Sequence, residues 1–532
     1  MMQLVLRTAA IGSLALAATL AAWTQTGGEA PVQLGKVEFP NSCSPAVQEK
    51  LLRGVAMLHS FWYSATEKTF EEVAAEDNSC ALAAWGFASI LMDNPLAGFG
   101  AAPKNAPRAQ AAIDKGRQMG AKTQRERDYL EAVAAYYEDF ATRPERARQL
   151  SRAKAYEALA AKYPEDDEAQ IFYALYLAGT QLQSDQTYGN YLKAAAILEK
   201  QFAKHPDHPG VAHYLIHSYD APPIAQQGVS AARRYAQIAP AAPHALHMPS
   251  HIFTRVGAWQ ESAASNRHSA SVAQKGGEPD GALHAMDYMV YAYLQLARDG
   301  DARKTVEEAV RVSGPNLARF VAPYALAAMQ ARVAVERGAW REAAQLQPVQ
   351  SKFPFAEAIF YQARALGAAR IGEVPAAKGD LEQIAARRDA LRAAKNEYWS
   401  TEVEVMRLSA AAWIALAEGR GEEGLGLMRQ AADMEDKSEK NIVTPGRIVP
   451  ARELLGDMLI ELKRPAEALK EYEASQAREP NRYRGLYGAG LAASQSRNTA
   501  KAKQYFSRLV EMAGSASPRT EIDNARAYLG RN

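Results

Sequence analysis

From about residue 50 onward apolar residues recur at three- and four-residue intervals almost without interruption, while runs alternating apolar with polar positions are scarce. The pattern predicts helices nearly throughout, an all-α chain. It also repeats. Near the C-terminus Gly456, Ala468, Tyr472 and Pro480 mark one unit and Gly490, Ala502 and Phe506 mark the next; near the start Gly54, Thr66, Phe70 and Asn78 keep the same offsets. A second spacing sets a glycine before a large residue two positions on and a small one five on. It stands as Gly257, Trp259, Ser262 and as Gly338, Trp340, Ala343, with weaker copies at Gly372, Val374, Ala377 and at Gly300, Ala302, Thr305. Small residues at such points let two helices approach while an aromatic ring fills the gap between neighbours. Proline and glycine predict interruptions at residues 94–107, 221–227, 274–281 and 436–450, and Ile522 to Leu529 reads as a final capping helix.

These units resemble the tetratricopeptide repeat, a helix-turn-helix of about 34 residues, and about ten to twelve helix pairs fit between residues 50 and 515. The resemblance implies an α-solenoid wound into a superhelix, with the first helix of each pair lining a concave face. More narrowly, the chain is similar to a group of exported bacterial tetratricopeptide proteins. The marks are His59-Ser60-Phe61-Trp62-Tyr63, Cys80-Ala81-Leu82-Ala83-Ala84-Trp85-Gly86, Asn94-Pro95-Leu96 and His247-Met248-Pro249-Ser250-His251-Ile252-Phe253. This likeness spans most of residues 39–300 and implies a fold and a compartment but no reaction. The expected organisation is a signal peptide at 1–22, an irregular segment at 23–49, a solenoid with a histidine-rich groove at 50–320, and a second solenoid with its capping helix at 321–532.

Nine of the ten histidines lie between His205 and His284. His213 and His217 form one pair four residues apart, His247 and His251 another, and the second pair follows the first at the repeat period. Four residues return to one face of a helix, so each pair shares a face. Placed on the first helices, about 209–220 and 243–256, both pairs face one groove on helices about 8–10 Å apart. Four neutral imidazole nitrogens would then suit zinc, copper, iron or nickel rather than calcium or magnesium. His244, His284, Asp287, Asp220 and Arg255 fall in the same register and extend the polar lining, as ligands or as groups that orient a ligand. Pro249, between the paired histidines, removes a helical N–H and predicts a bend. His205 and His208 read as surface residues, His268 as lying on an outer helix, and His59 as packed. The competing reading of the cluster is a metal-free polar groove packed with tyrosines.

Charge narrows the partners little further. With 62 basic and 60 acidic residues the net charge is +2, so no overall field favours nucleic acid or an anionic membrane. Arg7 ahead of the apolar run Thr8 to Ala22 predicts a secretory signal, and the run is short for a bilayer span. Export makes a bridge between the two cysteines, Cys43 and Cys80, chemically allowed, with about 3 kcal/mol of chain-entropy stabilisation. No integral membrane span remains after signal cleavage.

The sequence therefore favours a periplasmic or secreted repeat protein. Its concave groove would bind a protein, peptide or small ligand, and its histidine-rich centre a transition metal. Two alternatives stand beside it: a metalloenzyme, hydrolase or oxidoreductase, using the same histidines, and an assembly scaffold without metal. Nucleophile elbows and glycine-rich phosphate loops are absent from the sequence.

Overall fold

The computed structural model describes residues 32–514 and 519–531; the expected signal peptide lies outside them. Among the described residues every regular element is helical, from Gln48–His59 to Thr520–Arg531. Successive helices pack on one another as antiparallel neighbours, and Pro279–Gln295 packs directly on Val321–Val335, so the stack continues through residue 320. The chain from Gln33 onward forms one compact unit.

The repeat signature acts through close approach. Phe70 lies between two first helices: a Cβ on Gly54 would stand 3.2 Å from its ring and one on Gly86 only 2.2 Å. Tyr472 is held likewise between Gly456 and Gly488, where added Cβ atoms would approach to 2.7 and 2.3 Å. Each ring thus occupies space that only a missing side chain leaves open. The turns follow the second spacing, with Gly257 at φ 68° and Gly338 at φ 63° in the left-handed region. The weak copy at Gly300 is displaced: Gly300 lies inside the Asp299–Ala309 helix, and the left-handed turn residue is Ala297 at φ 54°. An alanine tolerates that conformation at some cost, which hides the turn from a glycine search.

The predicted interruptions at 94–107, 221–227 and 436–450 are largely irregular or short elements, whereas the one at 274–281 narrows to a turn at 276–278 between two 17-residue helices. Residues 33–44 run extended along the helices, where the N–H of Lys36 donates to the carbonyl of Asp207 at 3.0 Å. Phe39 packs against Trp85 and Tyr129 with ring centroids 5.1 Å away in each case. A disulfide joins Cys43 to Cys80 and ties this segment to the first repeats. The longest irregular stretch, 436–450, separates Gly421–Glu435 from Ala451–Glu461 and is buried along nearly all its length.

A candidate histidine metal centre

The first pair of histidines lies on Pro209–Ser218, whose N-terminus is capped by His208 accepting from the N–H of Val211. The second pair straddles a division in its helix. Pro243–His247 and Pro249–Arg255 are separate segments with Met248 between them in helical geometry, and Pro249 offers no N–H to the turn before it. His284 lies on Pro279–Gln295, packed beside them.

The four expected ligands do not converge as a single set of four. They divide between two three-imidazole groups, each completed by a residue, His244 or His284, expected either as a ligand or as a group that orients one. His213, His217 and His244 bring one nitrogen each to within 4.8 Å of one another, and His247, His251 and His284 do the same. The groups adjoin: the His217 and His251 rings are 5.5 Å apart and the His244 and His247 rings 5.9 Å.

Tautomers follow from the surroundings. His213 Nδ1 donates to the carbonyl of His59 at 2.6 Å, leaving Nε2 as a lone pair. The amide nitrogen of Asn266 donates to the carbonyl of Ser262, so its Oδ1 faces His247 and accepts from Nδ1 at 2.7 Å. His251 Nδ1 donates to Asp220 at 2.9 Å. Two lone pairs therefore face each other, His247 Nε2 and His251 Nε2, at 3.1 Å. Two nitrogens at about 2.0–2.1 Å from one tetrahedral ion would stand roughly 3.3 Å apart. In the neighbouring group His213 Nε2, His244 Nε2 and both ring nitrogens of His217 are buried with no hydrogen-bond partner. Buried nitrogens without partners are costly unless a ligand satisfies them.

Burial holds all six imidazoles below their ordinary pKa, and for His251 the pull of Asp220 only partly offsets it. The rings are thus neutral, the form that binds metal. A bridging proton between His247 and His251 would need an imidazolium close to Lys440, which also disfavours the charged form.

Asp220 orients the centre from behind. Burial alone would raise its pKa, yet Lys440, Arg255 and His251 hold the carboxyl far below the usual range. Arg255 Nε donates to it at 2.8 Å and Lys440 Nζ lies 3.4 Å away. Asp287, expected as a possible ligand, belongs to neither group; its Oδ1 faces Arg332 at 3.8 Å, and burial pushes its pKa up to about 6.

Residues 438–450 close the face that the first helices line. Tyr288 donates to the carbonyl of Thr444 at 3.0 Å, Arg332 to that of Gly446 at 2.7 Å, and Lys440 reaches Asp220. The histidines consequently lie beneath a strap of the chain's own making rather than in an open groove. Sequence reasoning passed over Lys440, Glu439 and Asn266, and Tyr288 is one of the tyrosines of the competing metal-free groove. Asn266 carried one signal, a polar residue 19 positions after His247 on the following helix. His208 is buried, against the expected surface position, because its Nε2 and that of His59 both meet Glu168 at 2.9 Å. That group is internally satisfied.

No family model matches the chain, and no curated protein does. Solved structures with similar helical arrangements include the APC/C hetero-tetramer Cut9-Hcn1, at 12% identity over 90% of this chain and 95% of that one with a TM-score of 0.28. The human IFIT1 dimer with m7Gppp-AAAA matches at 12% identity over 80% and 86%, with a TM-score of 0.37. The likeness is one of fold. With scores this low it carries no argument about ligands, and the helical-repeat architecture stands on the helix pairs described above.

Proposed function

We propose that the protein is an exported helical-repeat protein that binds transition-metal ions in two adjoining three-histidine sites. The observation that carries this reading is the facing pair of lone pairs on His247 Nε2 and His251 Nε2 at 3.1 Å, with each Nδ1 proton already committed to an acceptor. Carboxylate- and carbonyl-supported imidazoles are the usual outer layer of metal ligands. The partnerless nitrogens of His213, His217 and His244 support a second ion. The apolar run behind Arg7 and the Cys43–Cys80 bridge support the periplasmic or secreted location.

The strap favours this reading over a scaffold that docks a peptide at the same place, because residues 438–450 already fill the space. Three imidazoles per ion leave a coordination position open, which favours a reactive centre over a closed structural one.

The test is metal content of the purified, untagged protein by plasma mass spectrometry, beside a His213→Ala, His247→Ala double variant. Two ions per chain in the parent and their loss from the variant is the expected result. A parent protein that carries no metal and takes up none of zinc, copper, iron or nickel on titration would remove the proposal.

A further inference from the structure

We propose that the centre holds a pair of copper ions and binds dioxygen between its two three-imidazole groups. This rests on the metal-binding reading above and adds the identity of the ions and of their small-molecule ligand.

The argument begins with charge. Both groups consist of neutral nitrogen donors alone, with no carboxylate and no sulfur. The charged side chains packed behind them hold no excess of acid: Asp220, Asp287 and Glu439 face Arg255, Lys440, Arg332 and Arg478. No negative charge is left over to offset a metal. The cost of burying an ion grows with the square of its charge, so two divalent ions side by side would be strongly disfavoured here unless anions came with them. Two monovalent ions avoid most of that cost. Among the metals that imidazole suits, copper is the one with a stable monovalent state, and three nitrogens are a complete set for it.

The same charge balance points to the ligand. When dioxygen meets two cuprous ions, each ion gives up one electron, the oxygen–oxygen double bond becomes a single bond, and two copper–oxygen bonds form. No proton is needed. Before the step the centre carries two single positive charges; afterwards two cupric ions share a dianion, and the sum is unchanged. A buried shell with no spare negative charge can therefore host both states. Two-metal sites of hydrolytic enzymes place their ions about 3.5–4 Å apart, and the ring spacings of 5.5 and 5.9 Å across the two groups bring these groups together closely enough to share one small ligand.

A small pocket beside the first group is lined by Leu58, Phe61, Ile90, Met92, Phe172 and Leu175 together with the polar Ser89, Asp93, Tyr176 and Tyr214. Phe61, held at φ 50°, is the lining residue that touches the histidines: its ring lies 4.5 Å from that of His213 and 5.6 Å from that of His244.

The experiment loads metal-free protein with cuprous ion under anaerobic conditions and measures copper per chain by plasma mass spectrometry. Oxygen uptake and electron paramagnetic resonance are then recorded on the same samples. The expected result is two coppers per chain, one dioxygen consumed per pair, and an oxidised form silent in the resonance spectrum because the two cupric spins couple. The His284→Ala variant should keep one copper and take up no oxygen reversibly. Two bound coppers without uptake, or a spectrum of isolated cupric ions, would overturn the dioxygen proposal while leaving metal binding intact. Failure to bind copper with zinc retained would overturn the copper assignment, and failure to bind any metal would remove both.

Discussion

His247 and His251 turn their Nε2 atoms toward each other at 3.1 Å while Asn266 and Asp220 hold the opposite sides of the two rings. The pair is preset: neither ring can rotate to relieve the contact without abandoning a buried hydrogen bond. Removing one of those anchors should therefore show in affinity before it shows in fold. In Asn266→Ala we expect metal at the His247 group to weaken by about 10–100-fold, the usual effect of losing an orienting partner. Chelator-competition titration should show one ion per chain lost early and the other unaffected. Equal loss of both ions would contradict two separable groups.

The neutral imidazoles set a direction for pH. Burial lowers the folded-state pKa of His213, His217, His244, His247, His251 and His284, so the unfolded chain binds the protons first, near about 6.5. Their stabilising contribution is whole above that value and is lost as the pH falls below it. The loss amounts to at most about 1.4 kcal/mol per pH unit for each histidine. Thermal melts of the metal-free protein between about pH 7.5 and 5 should show a steep decline on the acid side, and a His213→Leu variant a shallower one.

Close packing at the repeats gives a third expectation. Gly86→Ala would bring a Cβ to 2.2 Å from the Phe70 ring, and neither partner can move without disturbing the next helix. Overpacking of this kind costs about 1–3 kcal/mol. A lowered midpoint in urea, partly restored by Phe70→Leu in the same chain, would establish the clamp; additive losses in the double variant would refute it.

The Cys43–Cys80 bridge spans a sequence separation of 37 residues. On the chain-entropy model such a loop contributes about 3–4 kcal/mol. The Cys43→Ser, Cys80→Ser double variant should melt earlier and expose residues 33–44 to proteolysis first. An unchanged melt would mean that Phe39 and the Asp207 contact hold the segment unaided.

Much of the architecture was legible because packing imposes it locally. The offsets from Gly54 to Phe70 and from Gly456 to Tyr472 are contact distances written in sequence, and the interruption at 436–450 announced itself through its prolines. The recurrence of the two histidine pairs at the repeat period likewise placed them on adjoining helices. Their partition was not legible. Which nitrogen of His247 is free depends on Asn266, and Asn266 on Ser262, a chain of hydrogen bonds that no spacing records. Whether His244 and His284 were ligands or orienting groups stayed open because each stands outside the four-residue pairs; only the relative rotation of three helices brings them into the two groups. Lys440 lies 220 residues from Asp220, and sequence separation of that size conceals a contact unless a repeat predicts it.

Every ligand of the centre precedes residue 285, whereas the strap that covers it begins at Ser438. During synthesis the six imidazoles are made well before their cover exists. Loading then has a time window, open while the C-terminal repeats are still being added and closed once Thr444 and Gly446 accept from Tyr288 and Arg332. After closure, exchange of the ion would run at the rate at which the strap opens rather than at the rate of ligand dissociation. On the proposed reading, the residence time of an ion would become a property of a loop that contributes none of the six histidines.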